Sequence, residues 1–333
     1  MDRQLQLTTW LQATLNQPFT LTVASADASF RRYFRVHLTH PKGDTLIAMD
    51  APPPQEDCTP FVKIAQLLLD AGLNVPKIVA QDLEQGFLLI GDLGDDTYLS
   101  VLNTENAQKL YSDATNALIK MQLASQANAL PAYDEALLMR EMQLFPDWYI
   151  NQYLGVELNA EQQAVLNNTF VLLNQNILAQ AQVTVHRDYH SRNLMLTKHQ
   201  NPGILDFQDA VHGAITYDLV SLLKDAYIEW DEEQIIDWAV RYWQPAKKAG
   251  LPVPDDFSEF YRDFEWMGAQ RHIKILGIFA RLSHRDGKDG YLKNMPLVMH
   301  YLRKACERYV ELRPMLRLLN QLENVKAQTG YTF

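Results

Sequence analysis

The sequence predicts a two-lobed α+β fold, with a small N-terminal lobe of β-strands and one helix over residues 1–95 and a larger, mainly helical lobe over 96–333. Three observations carry this reading. Before residue 91, short strand patterns alternate with turn residues. After residue 96, apolar residues recur at helical spacing. Between them, Gly91, Asp92, Leu93, Gly94 and Asp95 suit neither pattern and make 91–95 a hinge.

Each element follows from its residues. Tyr33, Phe34, Arg35, Val36, His37 and Leu38 alternate as a strand does, and residues 45–49 read as the partner strand. Pro41, Lys42, Gly43 and Asp44 make the turn between them, and Pro52, Pro53 and Pro54 end the second strand. Thr59 followed by Pro60 reads as an N-cap with Pro at the first helical position, and the helix runs to Asp70 with a stop at Gly72. Residues 86–90 form a short buried strand. Residues 106–123 and 161–178 are amphipathic helices. Short strands at 183–185, 194–196 and 203–205 interrupt the helical half. Helices resume at 218–230 and continue almost to the end.

The whole-chain numbers exclude several classes. The chain has 333 residues, 47% of them apolar, enough for about two lobes with a substantial core. Thirty basic against forty acidic residues give a net charge of -10, so no basic excess exists to neutralise nucleic-acid phosphates. The two cysteines, Cys58 and Cys306, have neither metal spacing nor a disulfide framework. No apolar leader and no run of about 18 apolar residues occur, so a cytoplasmic protein without a membrane partner is expected.

The chemistry concentrates in one stretch. His186, Arg187, Asp188, Tyr189, His190, Ser191, Arg192 and Asn193 lead into an apolar strand. A turn and a second strand then end at Asp206, Phe207, Gln208 and Asp209. An Asp, an Asn five residues later and an Asp thirteen beyond that are the polar parts of phosphoryl transfer. Asp188 orients or accepts the proton of an acceptor hydroxyl. Asn193 and Asp206 are hard oxygen donors suited to Mg²⁺ on a nucleotide. An ordinary loop would also carry Asp, Ser and Asn. The strand–loop–strand–turn–strand order favours chemistry, because it presents two ligands side by side. Asp209 reads equally as a support residue or a solvated turn. His186 is expected to fix loop shape by hydrogen-bonding backbone. Asp218 sits at a helix start, where a carboxylate suits the free N–H groups.

Two further regions bear charge. Residues 25–33 fall where a phosphate-covering loop would join two strands. They lack glycine but offer Ser29, Arg31 and Arg32 as nucleotide contacts, against the reading of a plain hairpin. The segment 271–285 is locally basic in an acidic chain. Its Arg271, Arg281 and Arg285 are candidate substrate contacts or a solvated face, with Arg281 and Arg285 one turn apart.

These residues carry a resemblance. From Val185 to Met195, with Ile204 to Asp209, the chain resembles the aminoglycoside phosphotransferase and choline kinase-like branch of the protein-kinase-like fold. Residues 29–36, 49–53, 213–227 and 270–282 look like the bacterial anomeric amino-sugar kinases of cell-wall recycling, and together the stretches span almost the whole chain. The resemblance implies ATP beneath the hinge, with Asp92 of the hinge among its contacts. It further implies Asp188 as the catalytic Asp, Asn193 and Asp206 as Mg²⁺ ligands, Asp218 as a brace for the catalytic loop, and an amino sugar phosphorylated at C1.

One departure stands out. The third strand of this fold usually carries a Lys for the nucleotide phosphates, paired with a helix Glu. Here Ala48 or Met49 takes its place and the helix offers Lys63, leaving Arg31, Arg32 or Lys63 to compensate.

Three functions compete. An amino-sugar kinase fits the motif. An aminoglycoside or choline-type kinase fits it too, but a cationic acceptor disfavours a basic segment at 271–285. That segment suits the lactyl carboxylate of N-acetylmuramate. A catalytically silent nucleotide-binding module explains the missing Lys but has no need of Asp188, Asn193 and Asp206 together.

Overall fold

The computed structural model describes residues 2–26, 30–40 and 43–323. Ser29, and Pro41 and Lys42 of the expected turn, lie outside the described residues. In order the elements are α1 (Arg3–Leu15), β1 (Phe19–Ala26), β2 (Arg32–Leu38), β3 (Thr45–Asp50), α2 (Thr59–Asp70), β4 (Ile78–Asp82), β5 (Phe87–Gly91), α3 (Tyr98–Val101), α4 (Ala107–Leu123) and α5 (Glu135–Met142). A π-helix, Phe145–Tyr153, follows. Then come α6 (Ala160–Ala179), β6 (Gln182–Val185), β7 (Leu194–Met195), β8 (Gly203–Ile204), β9 (Val211–Ala214), α7 (Tyr217–Leu223), α8 (Glu232–Lys248), α9 (Phe257–Asp286), α10 (Met295–Arg308) and α11 (Arg313–Leu322). The fold is α+β, as the sequence predicts: an N-terminal antiparallel sheet and a mostly helical remainder. By packing, the chain divides into two compact units, residues 1–121 with 192–210, and residues 122–191 with 211–333.

The first unit is built on a five-stranded antiparallel sheet in the order β1-β2-β3-β5-β4. The expected hairpin partners pair in register, Phe34 opposite Ala48 and Val36 opposite Leu46. Alternation puts Phe34, Val36 and Ala48 on one face, where Leu7 and Leu11 of α1 complete a core with Phe87 and Leu89. The helix α1 and strand β1 are not among the elements the sequence reading names. The residues that mark α1 are Asp2, whose side chain accepts from Gln4 N, and the i, i+4 pair Leu7 and Leu11. The helix after the triple proline starts one residue earlier than expected. Its N-cap is Cys58, and the carboxylate of Asp57 accepts the N–H of Thr59 at 2.8 Å. Both cysteines are unpaired thiols and buried.

Buried Asp50 ends β3 and binds two cations, Arg3 from α1 at 2.8 Å and Arg32 from β2 at 2.5 Å. A fully buried carboxylate persists only when its lone pairs are matched in this way. Where the fold's usual Lys would add a positive charge to this strand, the chain has an anion held by flanking arginines.

The second unit is organised on α9. Thirty residues make it about 45 Å long. It is buried on most sides from Phe260 to Ala280, because the π-helix, α6, α7 and α10 all pack on it. At Gly277 the backbones touch: a Cβ built there would lie 2.4 Å from the carbonyl carbon of Leu144. Only a residue without a side chain permits that approach. The expected helix at 218–230 is shorter, ending at Leu223.

Candidate active site

The residues of the motif fall at the ends of short strands, as their sequence order predicts. In the second unit, β6 pairs with β9, and the loop that leaves β6 carries His186 to Ser191. In the first unit, β7 pairs with β8. This two-strand ribbon puts Asn193 just before one strand and Asp206 two residues past the other.

The ribbon brings the two candidate metal ligands together. Leu205 N donates to Asn193 O at 2.9 Å, and the Asn193 amide lies 3.3 Å from a carboxylate oxygen of Asp206. Asp206 adopts φ 63°, the left-handed region that Asp tolerates better than most residues, and its carboxylate is exposed. Gln208 donates to its other oxygen at 2.8 Å. One amide oxygen and one exposed carboxylate side by side are a donor set that fits a cation which takes few protein ligands and keeps its waters. Among the described residues, no group of three or more His, Cys, Asp or Glu could hold a metal ion. A transition-metal centre of that kind is therefore absent from them. Asp209 is exposed and lies 3.5 Å from the Gln208 amide.

Asp188 is held differently. Its loop is gripped at both ends by buried carboxylates. Asp218 accepts from His186 N at 2.6 Å and Arg187 N at 3.0 Å. Asp225 accepts from Ser191 N at 3.0 Å. Helix capping at Asp218 is not what the structure shows: Thr216 is the N-cap of α7, and Asp218 spends both oxygens on the loop. Burial and the charge of Asp188 push Asp218 up to about 7, against the two N–H bonds and Arg271, which pull it down. His186 fixes the loop as expected, its Nδ1 accepting from Asp188 N at 3.2 Å.

Arg187 carries backbone strain, at φ 78° in a non-glycine residue. Neighbours hold it there. Arg271 donates to its carbonyl at 2.7 Å, Asp218 takes its N–H, and Glu141 takes its guanidinium. The same Glu141 binds Lys274 at 3.0 Å and accepts from the Tyr133 hydroxyl. Lys274 and Arg271 both donate to the Tyr217 hydroxyl, at 3.0 and 3.1 Å. Arg271 also stands 3.6 Å from the Asp188 carboxylate. Burial alone would raise Asp188, but the charges of Arg271 and Lys274, then His190 and His186, hold it well below the usual carboxylate range. The result is a half-exposed carboxylate, ionised throughout the physiological range, on a loop held by buried hydrogen bonds at both ends.

The other candidate residues are distributed as follows. Arg31 pairs with Glu56 at 3.0 Å, both largely shielded from water. Arg32 reaches Asp50, as above. Asp92 binds Arg35 at 2.6 Å and accepts the N–H of Gly94 at 2.9 Å, shaping the hinge turn. Arg285 is exposed and pairs with Asp286 at 2.6 Å, while Arg281 is half-buried. All described nucleotide and metal candidates thus belong to the first unit, and Asp188, Arg271, Arg281 and Arg285 to the second. Glu141, Lys274, Tyr217 and Asp225 were missed as parts of the site. Their only signal is that each is a polar residue within an otherwise apolar helical pattern or at a helix end.

A strained loop presenting an ionised Asp, followed along the chain by a ribbon presenting Asn and Asp, defines a phosphotransferase. The comparisons agree. The model of the phosphotransferase enzyme family matches residues 20–251, and the chain belongs to that family. It is 51% identical to a protein of Pseudomonas aeruginosa named N-acetylmuramate/N-acetylglucosamine kinase, over 95% of this chain and 96% of that one. A protein of the same name from Neisseria meningitidis is 46% identical over the full length of both. Among solved structures, the choline kinase LicA of Streptococcus pneumoniae superposes with a TM-score of 0.64, covering 91% of this chain and 100% of that one at 13% identity. That likeness shows the kinase-like fold. The chain is an ATP-dependent phosphotransferase.

Proposed function

We propose that the protein transfers the γ-phosphoryl group of ATP to the anomeric hydroxyl of N-acetylmuramate and N-acetylglucosamine, in the cytoplasmic recycling of cell-wall sugars. The observation that carries this reading is the 51% and 46% identity, over 95% or more of both chains, to two kinases named for these sugars. Residues 1–95, extended by the ribbon of 192–210, serve the nucleotide, and the rest of 96–333 serves the acceptor.

Asp188 takes a hydrogen bond from the C1 hydroxyl, aligns its oxygen with the γ-phosphorus and removes the proton as the bond forms. Its depressed pKa makes it a strong orienter and a weak base. That suits a loose phosphoryl transition state, in which the proton leaves late. Asn193 and Asp206 hold Mg²⁺, which supplies neutralisation of the charge on the phosphate oxygens. Arg31, fixed by Glu56, takes the place of the missing strand Lys as the cation for the nucleotide phosphates, and Arg32 and Ser29 are the further nucleotide contacts of the sequence reading. Asp92 shapes the hinge that meets the base. Arg271 serves the acceptor through the Asp188 loop that it braces.

ADP release measured across a panel of amino sugars, choline and aminoglycosides tests the reading. Turnover of N-acetylmuramate and N-acetylglucosamine alone is the expected result; turnover of choline or an aminoglycoside in their place sinks it. Asp206→Asn is expected to lower kcat by about 10²-fold or more and to raise the Mg²⁺ concentration for half-maximal rate, since one negative donor is lost. A magnesium titration of the variant reads both effects.

A further inference from the structure

From residue 271 on, the helix α9 carries four Lys and Arg side chains, Arg271, Lys274, Arg281 and Arg285, and three of them are already spoken for. Arg271 serves the Asp188 loop, Lys274 pairs with Glu141, and Arg285 pairs with Asp286. Arg281 differs. It makes no hydrogen bond or ion pair among the described residues, and its Nε is buried without a partner. Burial and the charge of Arg285 pull its pKa down, and Asp286, which already pairs with Arg285, offsets this only in part. A half-buried guanidinium that no carboxylate bonds is unfavourable, and its planar fork matches a carboxylate.

Its position has a second marker. Lys274, Gly277, Arg281 and His284 share one stripe of α9, at intervals of three and four residues. On that stripe Lys274 meets Glu141 of α5, Gly277 meets Leu144, and the His284 ring lies 6.3 Å from that of Trp148. The π-helix therefore runs alongside α9, and Arg281 faces it between Leu144 and Trp148. An extended π-helix is uncommon and gathers at functional sites. Lys274, which acts on Asp188, is two turns from Arg281, about 10 Å along the axis. Helical side chains lean toward the N-terminus, so the Arg281 head reaches back toward the Asp188 end.

We propose that Arg281 is the specificity residue for an acidic acceptor: it binds the lactyl carboxylate of N-acetylmuramate, which N-acetylglucosamine lacks, with Trp148 walling the same space. This rests on the reading of the protein as a kinase of both sugars. Arg281 makes no contact with the reacting atoms, so it sorts acceptors without serving the transfer itself.

Steady-state kinetics of Arg281→Gln and Arg281→Lys on both sugars test it. Arg281→Gln is expected to raise KM for N-acetylmuramate by about 10-fold or more, the loss of a charge-assisted pair. Its kcat for that sugar stays within about two-fold, and both constants for N-acetylglucosamine stay within about two-fold of wild type. Arg281→Lys recovers part of the loss, because a cation remains. Unaltered N-acetylglucosamine turnover also shows that the variant is folded. Equal losses for the two sugars, or no change in KM for N-acetylmuramate, overturn the assignment while leaving the kinase reading intact. A wild-type protein that turns over neither sugar overturns both.

Discussion

Asp188→Asn is expected to lower kcat by about 10²- to 10⁴-fold with little change in KM for the sugar or in melting temperature. Asn keeps the shape of the side chain but not its charge. The backbone grip of Asp218 and Asp225 on the loop does not pass through the Asp188 side chain, so the loop survives the change. What is lost is the ionised acceptor of the hydroxyl proton. ADP release with N-acetylmuramate, followed beside a thermal melt, separates chemistry from folding; unaffected turnover sinks the assignment. A companion substitution reads the electrostatics. Arg271 is the strongest of the charges that hold Asp188 low, against burial that acts the other way. Arg271→Gln therefore raises the pKa of Asp188. Because the ionised form is the active one, the acidic limb of kcat/KM moves to higher pH. A limb that stays in place refutes the coupling.

Glu141→Ala is expected to cost the largest stability, about 3–5 kcal/mol, because it strands buried cations. Glu141 is the counter-ion of both Arg187 and Lys274, and Lys274 is 7% exposed at its side chain. Burial raises Glu141, and Lys274 and Arg187 more than reverse this, so its folded pKa is lowered. A lowered carboxylate adds stability that is present above its unfolded value of about 4.5 and lost as pH falls through the folded one. Urea unfolding of Glu141→Ala, Lys274→Met and the double variant checks this. The double variant should be the more stable of the two that lack Glu141, since one of the two stranded charges, that of Lys274, is gone. A double variant with additive losses refutes the pairing.

The fold and the core of the motif were legible for a simple reason. Asp188, Asn193 and Asp206 lie within 19 residues, and the short strands that carry them punctuate the chain with turn residues on either side. Helices α4 and α6 were legible from their spacing. The support was not. Glu141 is 46 residues from Arg187, and Arg271 is 84 from the carbonyl it holds. Spacing alone gives Arg271 and Lys274 the look of a basic solvated face, yet they are buried among tyrosines. Periodicity finds which residues share a helix face; it does not find which face meets a charged partner. Asp218 shows the same limit. A carboxylate at a helix start has a sufficient local explanation, and it was the resemblance, not the spacing, that marked Asp218 as a brace for the loop, as its bonds from His186 N and Arg187 N bear out.

Gly277 ties the backbone of one helix to another without any side chain between them. On one side of it lies Glu141, which steadies the loop of Asp188; on the other lies Trp148, whose ring is 6.3 Å from that of His284. The gap between the two helices is fixed by the radius of a single hydrogen atom. Any larger substituent at 277 pushes the two helices apart, so the spacing beneath the Asp188 loop is set from a position that carries no functional group.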